Sequence, residues 1–201
     1  MSAILNKALE THDTLEVGHG TLLLLQKPGK PVGPLTSLRP IVLLTSLRKT
    51  LSLAVLGRIQ PKVDAFFSVS QSAFRKGRST GDIAWCHRWL CAMTQCYQRS
   101  IHILGLDMSS TFDTIRPDRL ISVLSSFLDS DELRMIRLLL ARTWLEPRVR
   151  GAPSANFSTT LGVPQGDSLS PVLFIVYLEA ALRDLRAALP PRPSSDSYLP
   201  F

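Results

Sequence analysis

One ten-residue segment decides the fold of this chain: Gly162-Val163-Pro164-Gln165-Gly166-Asp167-Ser168-Leu169-Ser170-Pro171. Two glycines around a Pro-Gln pair leave a backbone that another chain can approach closely, and the glutamine can donate and accept hydrogen bonds. Ser168 or Ser170 is placed to cap a helix beginning near Pro171, and a helix N-terminus attracts phosphate. The alternative is a helix-capping loop without a ligand. Generic Gly-Pro-Gly loops are common, whereas this ten-residue string is not.

An apolar run upstream ends in a carboxylate. Residues 101–106 are mostly apolar and predict a core strand, which Asp107 follows; Phe112 and Asp113 come next. A carboxylate at a strand end can bind Mg²⁺, a hard cation that prefers oxygen ligands. The alternative is that Asp107 is a solvated strand-end residue and Asp113 caps the following helix. Spacing alone favours that alternative.

Basic residues surround the first predicted hairpin and the segment after it. The formal charge is +7 and the isoelectric point is near 9.8, values that suit a polyanionic partner such as nucleic acid. Flexible basic hairpins suit a triphosphate and a template backbone. A solvated surface is the alternative for each of these positions: Lys27, Lys30, Arg39, Arg48, Arg75, Lys76 and Arg78.

The first half of the chain predicts a hairpin and two helices. Short apolar runs at 21–26 and 41–44 flank a Pro/Gly-rich loop, which indicates a long-looped hairpin. Helical spacing covers 46–59 and is expected to stop at Pro61. A second helix is expected over 80–98, with these side chains available to its buried face: Ile83, Trp85, Trp89, Leu90 and Met93.

The second half predicts three further helices and a second hairpin. Pro117 suits a first helical turn, and another helix is expected from 131 to Pro147. Residues 148–160 indicate a hairpin, and an apolar helix is expected from Pro171 to about 189. This order of elements predicts an α+β domain with helices packed on one sheet face.

The sequence disfavours zinc-binding and membrane proteins. The three cysteines are five residues apart and match no zinc spacing, although His87 and Cys91 are one helical turn apart. We therefore expect the three cysteines to be buried or functionless free thiols in a reducing compartment. The longest apolar run, 172–178, is far short of the ~20 residues of a membrane span. Residues 1–16 show no signal peptide, so an intracellular protein is expected.

Taken together, the motifs resemble the reverse transcriptases of non-LTR (LINE-type) retrotransposons. The resemblance covers roughly residues 22–185, with five blocks in the family's order: Lys27-Pro28-Gly29-Lys30, Arg39-Pro40-Ile41, Gln71-Ser72-Ala73-Phe74 with Gly77-Arg78-Ser79-Thr80, Asp107 with Phe112-Asp113, and 162–171. Viral RNA-dependent RNA polymerases carry a comparably spaced aspartate pair but not Pro-Gln-Gly in the following loop. The sequence therefore resembles them much less than it resembles reverse transcriptases.

The resemblance implies a partial reverse transcriptase domain, comprising the fingers and the first half of the palm of a right-hand polymerase. Residues 1–20 would be a tail or remnant helix and 21–98 the fingers. Residues 99–189 would be a partial palm with the first and second core motifs, and 190–201 a Pro/Ser-rich linker. The family's third motif, an aromatic-x-Asp-Asp turn, occurs nowhere in the 201 residues, so truncation before it is expected.

The resemblance also assigns site residues. Asp107 would be the catalytic metal ligand, with the Met108 backbone carbonyl beside it. Phe112 would be the steric gate that selects deoxynucleotides, and Asp113 would be structural. Gln165 and Gly166 would contact the incoming nucleotide and the template–primer. Lys30 and Arg39 would bind the triphosphate, with Lys27 as the open alternative to Lys30.

The implied activity is that of an RNA-directed DNA polymerase acting on an RNA template, a DNA primer and dNTP, in the nucleus or cytoplasm. Two Mg²⁺ ions about 3.5–4 Å apart would activate the primer 3′-OH and stabilise the leaving pyrophosphate. Because one aspartate cannot hold both ions, this chain alone is expected to be inactive. No membrane or obligate protein partner is inferred. The alternatives are a non-catalytic nucleic-acid-binding remnant and a pseudogene product that does not fold stably.

Overall fold

The computed structural model describes residues 17–98, 100–141, 143–149 and 152–189. The expected tail (apart from residues 17–20) and the expected linker lie outside these ranges. Within them the α+β class is confirmed, with five strands and five helices: β1 (His19–Gln26), β2 (Leu38–Leu44), α1 (Ser46–Phe66), α2 (Thr80–Tyr97), α3 (Pro117–Leu124), α4 (Ser130–Leu140), β3 (Thr143–Val149), β4 (Ala152–Pro153), β5 (Phe157–Thr159) and α5 (Ser170–Ala188). None of the described helices has the length and apolarity needed to cross a membrane.

The strands form one mixed sheet. β1 and β2 pair antiparallel, which confirms the long-looped hairpin, and β3 adds to β1 in parallel. β4 and β5 both return antiparallel to β3. The strands bury one small apolar cluster, because alternate residues point to the same face: Leu22, Val42, Leu44 and Leu145.

Four helices form the main hydrophobic core. α1 packs on α4, and α3 packs on both α4 and α5. The side chains at the centre of this layer are fully buried: Ile59, Val63, Leu120, Ile136 and Val176. Pro117 occupies the first turn of α3, as expected from its fixed φ.

Helix α1 continues through Pro61, so the expected stop there is wrong. Proline in a helix interior removes one backbone hydrogen bond and crowds the carbonyl four residues earlier. The turn beyond it offsets that cost, because Val63 is fully buried and Lys62 forms ion pairs with Asp129 and Glu132 of the α4 cap.

The helix expected from 131 to Pro147 is only partly correct. α4 ends at Leu140, and residues from Thr143 onward form β3. Thr143 and Leu145 are buried while Trp144 between them is exposed, which is the period of a strand. Partners on both sides, β1 and β5, override the helical pattern. The predicted second hairpin is therefore confirmed but starts earlier in the chain.

The core strand expected at 101–106 is not formed. Residues 101–108 are irregular and exposed throughout, and Leu104 is 83% exposed. A strand needs neighbours that satisfy its backbone groups and cover its side chains. The sheet of the described residues consists of β1 to β5 and does not extend to this segment.

Helix α2 forms where it was expected but buries no residue. Ser79 caps it, and the Ser79 N–H donates to Asp82 Oδ2 at 2.7 Å. Of the side chains expected on a buried face, Ile83 is 52% and Trp85 is 65% exposed. The other three expected side chains, Trp89, Leu90 and Met93, are only half-buried. The helix therefore forms from its capping and local pattern, without a fully buried face among the described residues.

Candidate functional site

The Gly162 loop, defined as residues 162–169, lies against strand β2. The Val42 N–H donates a hydrogen bond to the Gln165 carbonyl at 2.7 Å. Gly166 has a φ of 128°, and a Cβ at this position would collide with the Val42 carbonyl oxygen. Only glycine combines this backbone conformation with so close an approach. Backbone contact therefore holds the middle of the loop on the sheet.

The start of the same loop lies against the Phe112 turn, defined as residues 109–114. The Val163 N–H donates to the Phe112 carbonyl and the Gly162 N–H to the Ile115 carbonyl, both at 2.8 Å. A Cβ on Gly162 would stand 2.7 Å from the Phe112 carbonyl oxygen. The structure thus brings together two segments about 50 residues apart in the sequence that were singled out as separate motifs.

Phe112 and Asp113 occupy different environments within the turn. The Phe112 ring is half-buried and packs on Phe174 at 5.6 Å between ring centroids. Asp113 lies three residues before the N-cap of α3, which is Arg116, so the expected capping role of Asp113 is wrong. The Asp113 N–H donates to the Ser110 carbonyl instead, which closes the turn at 3.0 Å.

A cavity of about 400 Å³ opens beneath the Gly162 loop. Asp113 lines it together with Gln165 and the apolar residues Leu145 and Phe157. Burial in these surroundings raises the pKa of the Asp113 carboxyl above its ordinary value of 3.8. The cavity therefore joins the Phe112 turn, the Gly162 loop and the inner sheet face around one partly desolvated acid.

The start of helix α5 is held by an aspartate, so the expected serine caps are wrong. The N-cap position is Leu169, whose N–H donates to Asp167 Oδ1 at 3.2 Å. The Ser170 hydroxyl donates to the Pro164 carbonyl at 2.8 Å, which ties the helix back to its own loop. Asp167 thus fixes the residue at the N-cap position, although no side-chain hydrogen bond among the described residues caps the first turn of α5.

Asp167 also forms a buried ion pair with Arg48 of α1. Arg48 Nε lies 3.1 Å from Asp167 Oδ2, and the two side chains are 1% and 3% exposed. Arg48 was expected among the surface basic residues, and its burial corrects that expectation. Its spacing with Leu51 and Val55 on the buried stripe of α1 was the available signal.

Three basic residues of the β1–β2 hairpin divide into one that supports its loop and two whose side chains are free. Lys27 Nζ donates to the Thr36 carbonyl at 2.9 Å, and the Lys27 backbone N–H donates to the Ser37 carbonyl. Lys30 and Arg39 are exposed, and their side chains have no partner among the described residues. Lys30 is thus freer than Lys27 to bind a ligand.

The second basic segment is partly used within the fold. Arg75 pairs with Asp64 at 3.3 Å, and its guanidinium lies over the Phe67 ring at 5.6 Å. Lys76 and Arg78, which follow it in the sequence, are both exposed. This division separates one structural arginine from two basic residues that face solvent.

The expected metal ligands do not come together. Asp107 and Met108 lie on the exposed irregular segment 101–108. Among the described residues, no group of three His, Cys, Asp or Glu side chains is close enough to hold a metal ion. The contact between His87 Nδ1 and Cys91 Sγ, at 3.9 Å, is only a pair. The described residues therefore do not provide a site that fits two Mg²⁺ ions.

A family model described as "Reverse transcriptase (RNA-dependent DNA polymerase)" matches residues 25–198. Among curated proteins of Drosophila melanogaster, the chain is similar to a probable RNA-directed DNA polymerase from transposon BS, with 29% identity over 160 residues. It is also similar to the probable enzyme from transposon X-element, with 28% identity, and to the enzyme from mobile element jockey, with 24%. These matches cover 78%, 79% and 85% of the chain.

The chain spans only 17–20% of the length of these relatives. A solved structure with a similar fold is apo telomerase from Candida tropicalis, truncated from its C-terminal domain. The TM-score is 0.58 at 13% sequence identity, over 86% of this chain and 40% of that chain. At this identity the likeness concerns the fold alone.

Proposed function

Because the chain belongs to the reverse transcriptase family, we propose that it supplies the fingers and the first part of the palm of an RNA-directed DNA polymerase. The observation that carries this proposal is the double contact of the Gly162 loop. The loop bonds to Val42 of β2 and to Phe112 at once, at 2.7 and 2.8 Å. These contacts hold three of the proposed nucleotide-binding residues, Phe112, Gln165 and Gly166, at one junction rather than on separate loops.

Each proposed contact has a physical reason. Lys30 and Arg39 are exposed cations on neighbouring parts of the hairpin and would pair with a triphosphate. Gln165 and Gly166 would contact the nucleotide and the template–primer, since glycine allows a nucleic acid to approach the backbone. Phe112 would act as the steric gate, and its packing on Phe174 limits the positions its ring can adopt.

The proposal for this 201-residue chain is binding without polymerisation. In a longer polymerase, Asp107 and the Met108 carbonyl would contribute ligands to Mg²⁺. The described residues do not assemble a metal site, so no catalytic step is assigned to them. For this chain by itself, the proposal therefore coincides with the alternative of a non-catalytic nucleic-acid-binding protein.

The test is the affinity of the purified chain for a labelled RNA–DNA primer–template, measured by fluorescence anisotropy at increasing KCl. The logarithm of the binding constant is expected to fall linearly with the logarithm of the salt concentration, because each phosphate contact releases counterions. An affinity that does not change with salt, or no binding at low salt, would contradict the proposal.

Primer extension with dNTP and Mg²⁺ on the same substrate separates binding from catalysis. No extension by the wild-type chain is expected. Extension that is lost in Asp107→Ala would show instead that the chain polymerises alone. The Asp184→Ala variant is a matched control, since this acid lies on α5 outside the proposed site.

A further inference from the structure

All three nitrogens of the Arg48 guanidinium donate hydrogen bonds inside the protein. Nε donates to Asp167 Oδ2 at 3.1 Å, Nη1 to the Val17 carbonyl at 3.1 Å and Nη2 to the Leu139 carbonyl at 2.7 Å. These acceptors belong to the Gly162 loop, to the residues just before β1 and to the end of α4. One side chain therefore fixes three segments that are distant in the sequence.

Both carboxylate oxygens of Asp167 are also engaged. Oδ2 accepts from Arg48, and Oδ1 accepts from the Leu169 N–H at 3.2 Å. The backbone N–H of Asp167 donates to the Pro164 carbonyl at 3.2 Å. An asparagine at this position would have to place its amide nitrogen against one of two donors. The ionised carboxylate is thus the side chain that fits these partners.

The pair acts on the two residues that precede it in the loop. Gln165 and Gly166 lie between Pro164 and Asp167, and Gln165 also bonds to Val42. β2 holds this stretch on one side and the pair holds it on the other. A shift of Asp167 would therefore move Gln165 relative to the sheet and to the Phe112 turn.

We propose that Arg48 and Asp167 are positioning residues that fix Gln165 and Gly166 for contact with the nucleotide and the template–primer. This inference rests on the proposed function. A buried ion pair gains little net stability over an apolar pair of similar volume, because desolvation offsets the attraction. The pair contributes orientation instead. The three guanidinium donors and the two carboxylate acceptors fix the directions of their partners, which apolar side chains do not.

The first variant is Asp167→Asn, with Glu179→Gln as its matched control. Glu179 is also buried, pairs with Arg183 and accepts from the Ser68 N–H, but it lies on α5 away from the loop. Hydrogen exchange of the Val42 amide reports local opening of the loop, and anisotropy reports affinity for the primer–template. Asp167→Asn is expected to speed exchange at Val42 and to weaken binding about tenfold, whereas Glu179→Gln does neither.

The second variant is the apolar pair Arg48→Met with Asp167→Leu, which removes both charges together and leaves neither one buried without its partner. Cooperative unfolding is expected to persist, with the same loss of affinity as in Asp167→Asn. The salt dependence of binding should stay unchanged, because neither residue contacts phosphate. Wild-type affinity and wild-type exchange at Val42 in this folded variant would overturn the inference.

The two proposals fail in different ways. If the wild-type chain does not bind the primer–template, the proposed function fails, while exchange at Val42 still shows whether the pair holds the loop. If the wild type binds and Asp167→Asn binds equally well, only the positioning role is lost.

Discussion

Gly166 lies directly against the carbonyl of Val42, with no room between them for a side chain. The Val42 N–H donates a hydrogen bond to the carbonyl of Gln165, the residue just before Gly166. The strand and the loop therefore meet through their backbones. This contact sets the distance between the sheet and the proposed nucleotide-binding residues. A single methyl group at position 166 should therefore disturb both stability and binding.

Gly166→Ala is expected to destabilise the fold by roughly 1–3 kcal/mol or more, since a strained φ and a backbone collision act together. Urea denaturation measures the loss, and anisotropy measures the accompanying loss of primer–template affinity. The control is Gly29→Ala, where φ is 71° but nothing lies within 4 Å. Equal losses in the two variants would show that the contact with Val42 is unimportant.

Lys30→Gln should lower the salt dependence of nucleic-acid binding. Losing one phosphate contact should reduce the slope of the logarithm of the binding constant against the logarithm of the salt concentration by about 0.7–0.9. Lys27→Gln is the matched control, because Lys27 Nζ is already bonded to the Thr36 carbonyl and supports the loop. Its slope should change less than that of Lys30→Gln. A larger change for Lys27→Gln would assign the phosphate contact to Lys27 instead.

Asp129 should make the fold sensitive to acid. The Glu132 N–H, with help from Lys62, lowers the pKa of the Asp129 carboxyl from 3.8 to about 2. A lowered folded-state pKa contributes stability above the ordinary pKa, and that stability is lost as the pH falls from 3.8 through about 2.

The measurement is the urea midpoint across this pH range for wild type and Asp129→Asn, which keeps a capping oxygen but cannot ionise. The two midpoints should differ at neutral pH and converge in acid. A pH-independent difference for Asp129→Asn would contradict the electrostatic explanation.

Asp113 should have the opposite effect. Burial raises the pKa of its carboxyl, so the ionised form opposes folding at pH values above 3.8. Asp113→Asn is expected to raise the urea midpoint at neutral pH, with the gain disappearing in acid. Asp118→Asn provides a control of opposite sign, because a hydrogen bond from Arg116 lowers the pKa of Asp118. A lower midpoint for Asp113→Asn at neutral pH would show that the carboxylate supports the fold.

Local pattern predicted elements whose packing partners lie within the described chain, and it also predicted α2, which forms through its cap without burying a residue. The β1–β2 hairpin and α5 formed as expected because their apolar faces meet the sheet cluster and the helical core. Prediction failed where a distant partner decides the outcome. Residues 143–149 became a strand because β1 and β5 flank them, while 101–106 remained irregular without such neighbours.

The site was only partly visible in the sequence. The resemblance to reverse transcriptases implied that the Gly162 loop and the Phe112 turn belong to one site, and the structure places them in contact. Arg48 was missed because a basic side chain near a loop is normally solvated. Only tertiary packing reveals that its three acceptors converge, since Val17, Leu139 and Asp167 share no local pattern with it.

The irregular segment 101–108 allows one further prediction, concerning Leu104. This side chain is 83% exposed, so Leu104→Ala should change the free energy of unfolding by less than about 0.5 kcal/mol. Leu120→Ala is the matched control in the core, where the side chain is 0% exposed and its truncation should cost about 2–5 kcal/mol. Urea denaturation of both variants measures the contrast. A cost at Leu104 close to that at Leu120 would mean that residues 101–106 are buried in this chain, as a core strand would be.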